Sequence, residues 1–286
     1  MSHMHSWTAP VADEEIRLLI ARLDDLCDFA ARGEPAVSSY LTPREAKYAA
    51  QRLASRIHAG TAFLWGGYVG AERVRALILP DYTEGLVDSE RLASSPLAAL
   101  DETGFTELAD ILREAVCPVL VRGSGFRELT HRDYLGSILG MGLERGVMGD
   151  ILIPDPHSAI LLTDTRVADF LTTQLTKVAT DTVKVSRLPE GTALAGTRRL
   201  QPITDTVASE RLDCVVAALC NLSREKAQMA VRSGIVEMDY EVVEDCSATV
   251  DAPAVISVRG FGKFAVHSFD GTTRKGRVRL SAGKYV

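Results

Sequence analysis

The sequence predicts an α+β fold in three parts, and three observations carry that prediction. Positions 1–60 hold helical periodicity almost throughout. Between 61 and 188, short strand-like runs alternate with helical runs. In the stretch 209–259 the apolar period switches from 3.6 to two, so two short helices are followed by a small sheet.

In the first part, Ile16, Leu19, Ile20, Leu23 and Leu26 form the apolar stripe of a helix from Asp13 to Arg32, closed by Gly33-Glu34-Pro35. Thr42-Pro43-Arg44-Glu45 reads as a cap with proline at the first helical position, and the helix it opens runs to about His58 and stops at Gly60. Residues 1–60 are therefore expected to be a helical domain, with no chemistry legible in them. The opening MSHMHSW lacks the basic and apolar regions of a signal peptide and is left out of the fold reading.

The second part, 61–188, begins with strands at Ala62–Trp65 and Val74–Leu79, joined as a hairpin across Gly66, Gly67 and Gly70. Those glycines match no phosphate-loop spacing and are turn residues. Asp88–Glu102 is a loop or weak helix, Phe105–Ala115 a helix, and Pro118–Arg122 a strand. His131–Leu143 is helical, Asp150–Ile153 and Ala159–Thr163 are strands joined through a proline-containing turn, and Thr165–Val178 is a helix. Val183–Arg187 closes the series. The alternation predicts an α/β sandwich of RRM or ferredoxin-like kind. Residues 189–205 read as a linker with some strand character.

In the third part, Leu212, Val215, Val216 and Leu219 mark one face of a helix, with Ser209 as its expected cap. Ser223 is the expected cap of a second helix, Arg224–Ser233, with Ala227, Ala230 and Val231 facing inward and Gly234 as its C′ residue. Ile235–Met238, a turn at Asp239-Tyr240, and Val242-Val243 form a hairpin, with Val255–Arg259 available to pair. Residues 206–270 are taken as this domain and 271–286 as a basic tail.

These residues resemble the S4 (αL-type) RNA-binding domain. The match lies in Arg211-Leu212-Asp213, Leu222-Ser223-Arg224, Ala227, Val231, Gly234 and the hairpin Val236-x-Met238-Asp239. Arg211, Arg224 and Lys226 stand at or near two helix N-termini, whose free N–H groups and positive dipole ends suit phosphate. Asp213 is read as orienting a basic side chain within the fold. Asp239 departs from the Asn frequent in that family and is not carried over as a contact. The expected RNA-binding residues are Arg211, Ser223, Arg224, Lys226 and Arg232, with the footprint extended by Arg259, Lys263 and the basic tail.

A second resemblance covers the chain from about Phe63 onward. HRDYLGSILGMGLERGVMGDILI (131–153), SVRGFGKF (257–264) and Lys275-Gly276-Arg277, together with the S4 pattern, resemble the YlmH family of bacterial S4-domain proteins. That resemblance implies a helical N-terminus, a central RNA-binding α/β domain in which Arg132 is a further contact, and the S4 module. It also implies binding of ribosomal RNA and tRNA on the large ribosomal subunit carrying peptidyl-tRNA after a stall. Nascent-chain tailing and other quality-control factors are its implied setting. No apolar run approaches a membrane span and no signal peptide is legible, so the cytoplasm is the expected compartment, and neither enzymatic activity nor a cofactor is expected.

Composition agrees with a local rather than a global RNA footprint. The chain has 286 residues and a formal net charge of −6, against 32 Lys and Arg. An acidic total argues against a nonspecific nucleic-acid binder. The charge is uneven, with acidic Glu237–Asp251 followed by Arg259, Lys263, Arg274, Lys275, Arg277, Arg279 and Lys284. Five cysteines stand apart with no CxxC, which disfavours a zinc site or a disulfide framework; Cys214 is expected as a buried thiol.

Several enzyme-like fragments fail on context. His131-Arg132-Asp133 begins a kinase catalytic loop, but Ile138 stands where Asn is needed. Arg211-Leu212-Asp213 matches the RLD of pseudouridine synthases, yet it lies inside the S4 pattern. Gly123-Ser124-Gly125 after a strand lacks the acidic partner of a cofactor loop. The alternatives carried forward are an RNA-modifying enzyme targeted by its S4 domain and a cell-division-linked protein adaptor.

Overall fold

The computed structural model describes residues 14–286 except Glu190, Arg198 and Lys275. Asp13, MSHMHSW and Lys275 of the expected tail therefore lie outside the described residues. The chain divides into two compact units, one ending at Thr197 and the other running from position 198 to Val286.

The first unit opens with α1 (Glu14–Ala31), β1 (Ala36–Val37), α2 (Pro43–Arg52), α3 (Ala54–His58), β2 (Ala62–Trp65) and β3 (Arg75–Ile78). The expected cap at Thr42 forms. Its hydroxyl accepts the Glu45 N–H at 3.3 Å, and its own N–H donates to the Glu45 carboxylate at 2.7 Å. The expected boundary at residue 60 does not mark a break. Ala36 pairs with Ile78 on one side of β3, and Ala62 pairs with Ile78 on the other. Ile16 and Leu23 of α1 share one core with Ala62, Ala76 and Ile78. The reason is that an amphipathic helix needs an apolar surface to cover, and here the hairpin supplies it.

Next come α4 (Ser89–Ser94), α5 (Pro96–Glu102) and α6 (Thr106–Ala115). Asp88–Glu102 is thus two short helices, the first capped by Asp88, whose carboxylate accepts the Arg91 N–H at 2.8 Å. β4 (Cys117–Gly123), α7 (His131–Gly140), β5 (Met148–Asp155), β6 (Ser158–Thr163), α8 (Thr165–Gln174), β7 (Lys177–Val178) and β8 (Asp181–Arg187) complete the unit. The second helix of this series stops at Gln174, and Lys177–Val178 is a strand. The sheet order is β5-β6-β4-β8-β7, antiparallel at every pairing. Counted along β4-α7-β5-β6-α8-β8, that is the ferredoxin-like order the alternation predicted.

Side-chain alternation divides this sheet between two cores. Val119, Val121, Ala159 and Leu161 pack with Tyr134 and Ile138 of α7 and Leu171 of α8. Leu152 and Leu162 point the other way, into a core with Leu108, Ala109 and Leu112 of α6. An RNA-recognition sheet leaves its second face open for bases to stack on aromatic side chains. Here that face is packed at Leu152, Ile160 and Leu162, while Arg122 of β4 and Lys184 and Ser186 of β8 are exposed on it.

The second unit contains β9 (Leu200–Val207), α9 (Leu212–Leu219), α10 (Arg224–Arg232), β10 (Val236–Met238), β11 (Glu241–Val242), β12 (Ala254–Val258), β13 (Gly262–Thr272) and β14 (Val278–Tyr285). Its sheet runs β11-β10-β12-β13-β14-β9. Leu212, Val215, Val216 and Leu219, with Ala227 and Val231, pack on Val236, Ile256, Val258, Phe264, Val266 and Leu280. Burying each large aliphatic side chain contributes about 1.5–3 kcal/mol, so this face holds the helices to the sheet. The predicted hairpin turn falls at Asp239 and Tyr240, at φ +49° and +68°. Gly234, at φ +69°, follows α10 as the C′ residue.

Two expected boundaries are corrected here. Leu200–Gln201 and the residues after them are strand rather than linker, paired with β14 from Leu200↔Tyr285 to Val207↔Val278. The basic tail is likewise an internal strand, since β14 lies between β13 and β9. Val278, Leu280 and Ala282 alternate with Arg279, Ser281 and Gly283, and Leu280 is fully buried. A third correction concerns Ser209. It does not cap α9: Arg211 occupies that position without a side-chain cap, and the Ser209 hydroxyl points to the Cys214 sulfur at 3.6 Å.

Candidate nucleic-acid interface

The starts of α9 and α10 are joined through one carboxylate. α9 begins where the Leu212 N–H donates to the Ala248 carbonyl at 2.8 Å and the Asp213 N–H to the Cys246 carbonyl at 3.2 Å. This seating turns the Asp213 side chain inward, with none of its surface exposed. A buried carboxylate requires donors, and the neighbouring chain provides four bonds. Arg211 donates from Nε to Oδ1 at 3.1 Å and from Nη2 to Oδ2 at 3.3 Å. Arg224 donates from Nε to Oδ2 at 3.3 Å, and Gln228 from Nε2 to Oδ2 at 2.8 Å.

The electrostatics follow from that geometry. Burial pushes the Asp213 carboxyl up, but the bonds from Arg211 and Gln228 and the charge of Arg211 outweigh it and hold the group well below the ordinary carboxylate range. The bond to Asp213 holds Arg211 above its ordinary value. Two guanidinium groups share one anion, so the cluster keeps a net positive charge. Its outer edges face solvent: 39% of the Arg211 side chain and 58% of the Arg224 side chain are exposed. Asp213 itself is enclosed by its donors, with none of its surface exposed.

Ser223 caps α10, its hydroxyl accepting the Lys226 N–H at 3.3 Å. Lys226 is exposed in the first turn. Arg232 is exposed too, but it lies in the last turn of α10, about 12 Å along the axis from Arg224 at 1.5 Å per residue. The structure therefore brings Arg211, Ser223, Arg224 and Lys226 together and sets Arg232 apart. Met229, 65% exposed, stands three residues from both Lys226 and Arg232 and puts an apolar group on that basic stripe. Its helical spacing from the two cations is legible in the sequence; its exposure is not.

Arg259 is exposed in the turn between β12 and β13, its N–H donating to the Ile235 carbonyl at 3.0 Å just past the end of α10. Lys263 is on the other side of the sheet. Phe264 and Val266 point into the core, so Lys263 alternates away from the helices. There its Nζ lies 5.0 Å from the Tyr240 ring and 5.4 Å from the Tyr285 ring. Lys263 thus does not join the Arg211–Arg224 cluster. Asp239 is spent on backbone: its carboxylate accepts the Val255 N–H at 2.8 Å.

Arg132 belongs to the first unit, exposed in the first turn of α7. That helix is capped by Thr130 and Asp133: the Asp133 carboxylate accepts the Thr130 N–H at 2.8 Å and lies 3.8 Å from Arg127. Asp133 is therefore a capping residue that also faces Arg127. Sequence reasoning missed another buried acid in this unit. Asp150 accepts the Tyr68 hydroxyl at 2.7 Å, the Glu72 N–H at 2.8 Å and the Arg73 N–H at 3.2 Å, and so fixes the loop between β2 and β3. Arg73 then donates to the carbonyls of Met148 at 2.9 Å and Arg145 at 2.8 Å. Among the described residues, no group of three or more His, Cys, Asp or Glu is placed to hold a metal ion. No helix among them is long and apolar enough to cross a membrane.

Comparison with known proteins bears on both units. Residues 120–191 match the family model described as "Putative RNA-binding domain in YlmH". The chain is 30% identical over 245 residues to the "Ribosome-associated protein quality control protein P2" of Bacillus subtilis (strain 168), covering 86% of this chain and 85% of that one. Among solved structures, the "Cell division protein ylmH from Streptococcus pneumoniae" matches with a TM-score of 0.46 and 17% identity, over 64% of this chain and 96% of that one.

Proposed function

The chain belongs to the YlmH family, and on that premise we propose that it is a ribosome-associated RNA-binding protein. It binds ribosomal RNA and tRNA on the large subunit and stabilises peptidyl-tRNA there while a stalled nascent chain is tailed. Its work is binding rather than bond chemistry, and it is carried out in the cytoplasm.

The observation that carries this reading is the buried Asp213 carboxylate, which holds Arg211 and Arg224 with their outer edges exposed at two adjacent helix starts. Pre-set guanidinium groups beside the start of α10 make a phosphate-binding edge at little entropic cost, whereas the first N–H groups of α9 are taken by the Ala248 and Cys246 carbonyls. Ser223, Lys226, Arg232 and Arg259 extend the contact along α10 and the β12–β13 turn; Arg132 and Lys263 make separate contacts. The relative from Bacillus subtilis, whose name places it in ribosome-associated quality control, supports the setting.

The test is co-sedimentation of the full chain with purified large ribosomal subunits across a salt series. Binding at low salt that falls steeply as salt rises is expected. Absence of binding at low salt would remove the reading. A protein-adaptor role would instead show partners that persist after ribonuclease treatment.

A further inference from the structure

A concave site of about 290 Å³ opens beside Arg224, between the end of β9, α9 and the loop entering β14. Its apolar floor includes Val207, Cys214, Ala217, Ala218 and Leu222, small groups apart from Leu222. Its rim carries Asp205, Asn221, Arg224 and Arg277. Arg277 comes from far along the chain and is fixed in place: its Nε donates to the Thr206 hydroxyl at 2.9 Å and its Nη2 to the Thr206 carbonyl. Its own N–H donates to the Thr273 hydroxyl at 3.1 Å, so the loop beneath it is closed.

These features match one RNA nucleotide. The volume suits a single heterocyclic base, and the small side chains of Ala217 and Ala218 leave room for a flat group. Guanidinium groups at the rim stack on bases or bind phosphate. A base within an A-form stem is stacked and out of reach, so the occupant must be unpaired. Asp205 sets the direction. Its carboxylate already accepts the Thr206 N–H at 2.6 Å and repels phosphate, while remaining an acceptor for the N–H edge of a base.

We propose that this pocket receives one unstacked nucleotide of the bound RNA, with the base against Ala217 and Ala218 and the phosphate toward Arg224 and Arg277. The proposal rests on the reading that the chain binds RNA through the Arg211–Arg224 edge and adds to it a local preference for an unpaired position.

The test uses the full chain and two synthetic RNA hairpins alike except that one stem carries a single bulged nucleotide. The wild-type protein binds the bulged hairpin at least tenfold more tightly than the paired one. Ala218→Phe fills the floor without touching a cation and abolishes that preference while leaving affinity for the paired hairpin in place. Arg277→Ala, on an exposed loop, is the parallel variant should Ala218→Phe fail to fold, with the same loss of preference. Equal affinity of the wild-type protein for both hairpins, or a preference that survives in the folded variants, overturns the pocket and leaves the arginine edge standing. Binding to neither hairpin at low salt overturns both.

Discussion

The Nε of Arg224 lies 3.3 Å from the buried Oδ2 of Asp213, eleven residues earlier in the chain, and so ties the start of α10 to the start of α9. Arg211 reaches the same carboxylate through two bonds. Both arginines therefore serve the fold with their inner edges while offering their outer edges to a ligand, and variants have to be chosen with both duties in mind.

Replacing Arg224 alone leaves Asp213 with Arg211 and Gln228. Because Arg224 is largely exposed, Arg224→Ala is expected to lower the melting temperature by no more than about 3 °C. Arg211→Ala with Arg224→Ala strands a buried anion on one amide, and a loss of about 10 °C or more is expected. Adding Asp213→Asn to the double variant recovers part of that loss. Thermal melts of the four proteins check the order; equal stability of the single and double variants would contradict it.

The same carboxylate makes the second unit sensitive to acid. Its folded pKa lies below the unfolded value of about 3.9. The stabilisation is therefore complete above that value and is lost as pH falls through the folded pKa. Between about pH 5 and pH 2 the wild-type protein should lose stability more steeply than Asp213→Asn. Denaturant unfolding at several pH values measures the two slopes, and identical slopes would show that Asp213 is not held in its ionised form.

Cys220 is half-buried, and burial pushes its thiol up to about 11 against the opposing charge of Lys284. Burial also raises Cys27 and Cys117. Alkylation by iodoacetamide at pH 8 should therefore be at least tenfold slower in the native protein than in denaturant at Cys220, and slower in the native protein at Cys27 and Cys117. Rapid native labelling of Cys220 would contradict this.

The strand pairing predicts which fragments fold. Residues 199–286 contain β9 and β14 and should melt cooperatively. Residues 206–270 lack β14 and nearly all of β9, and they remove Leu280 and Ala282 from the core. That shorter fragment should show no cooperative transition by circular dichroism; a sharp melt would contradict the six-stranded arrangement.

What the sequence made legible was local. The apolar spacing of Leu212, Val215, Val216 and Leu219, the Ser223 cap, Gly234 after α10 and the strand–helix alternation of 117–187 depend on near neighbours, and they formed as read except that Lys177–Val178 is a strand and not the end of a helix. What it concealed depended on pairing at a distance. Val278, Leu280 and Ala282 alternate as a strand should, but the cations around them made the segment read as a tail. Only its pairing with Leu200–Val207 reveals it as internal, and only that pairing carries Arg277 to the rim beside Arg224. Asp213 was read correctly as orienting a basic side chain, but its hold on two arginines at once was not visible without the fold. Lys263 was assigned to the footprint by its charge, and sheet alternation then placed it on the opposite face.

The most direct test of the account compares wild-type protein and folded Arg224→Ala for co-sedimentation with purified large ribosomal subunits at rising salt. The account predicts weaker binding by the variant at every salt concentration and a salt slope shallower by about one unit, as one phosphate contact is lost. An unchanged affinity and an unchanged slope in the folded variant would contradict it.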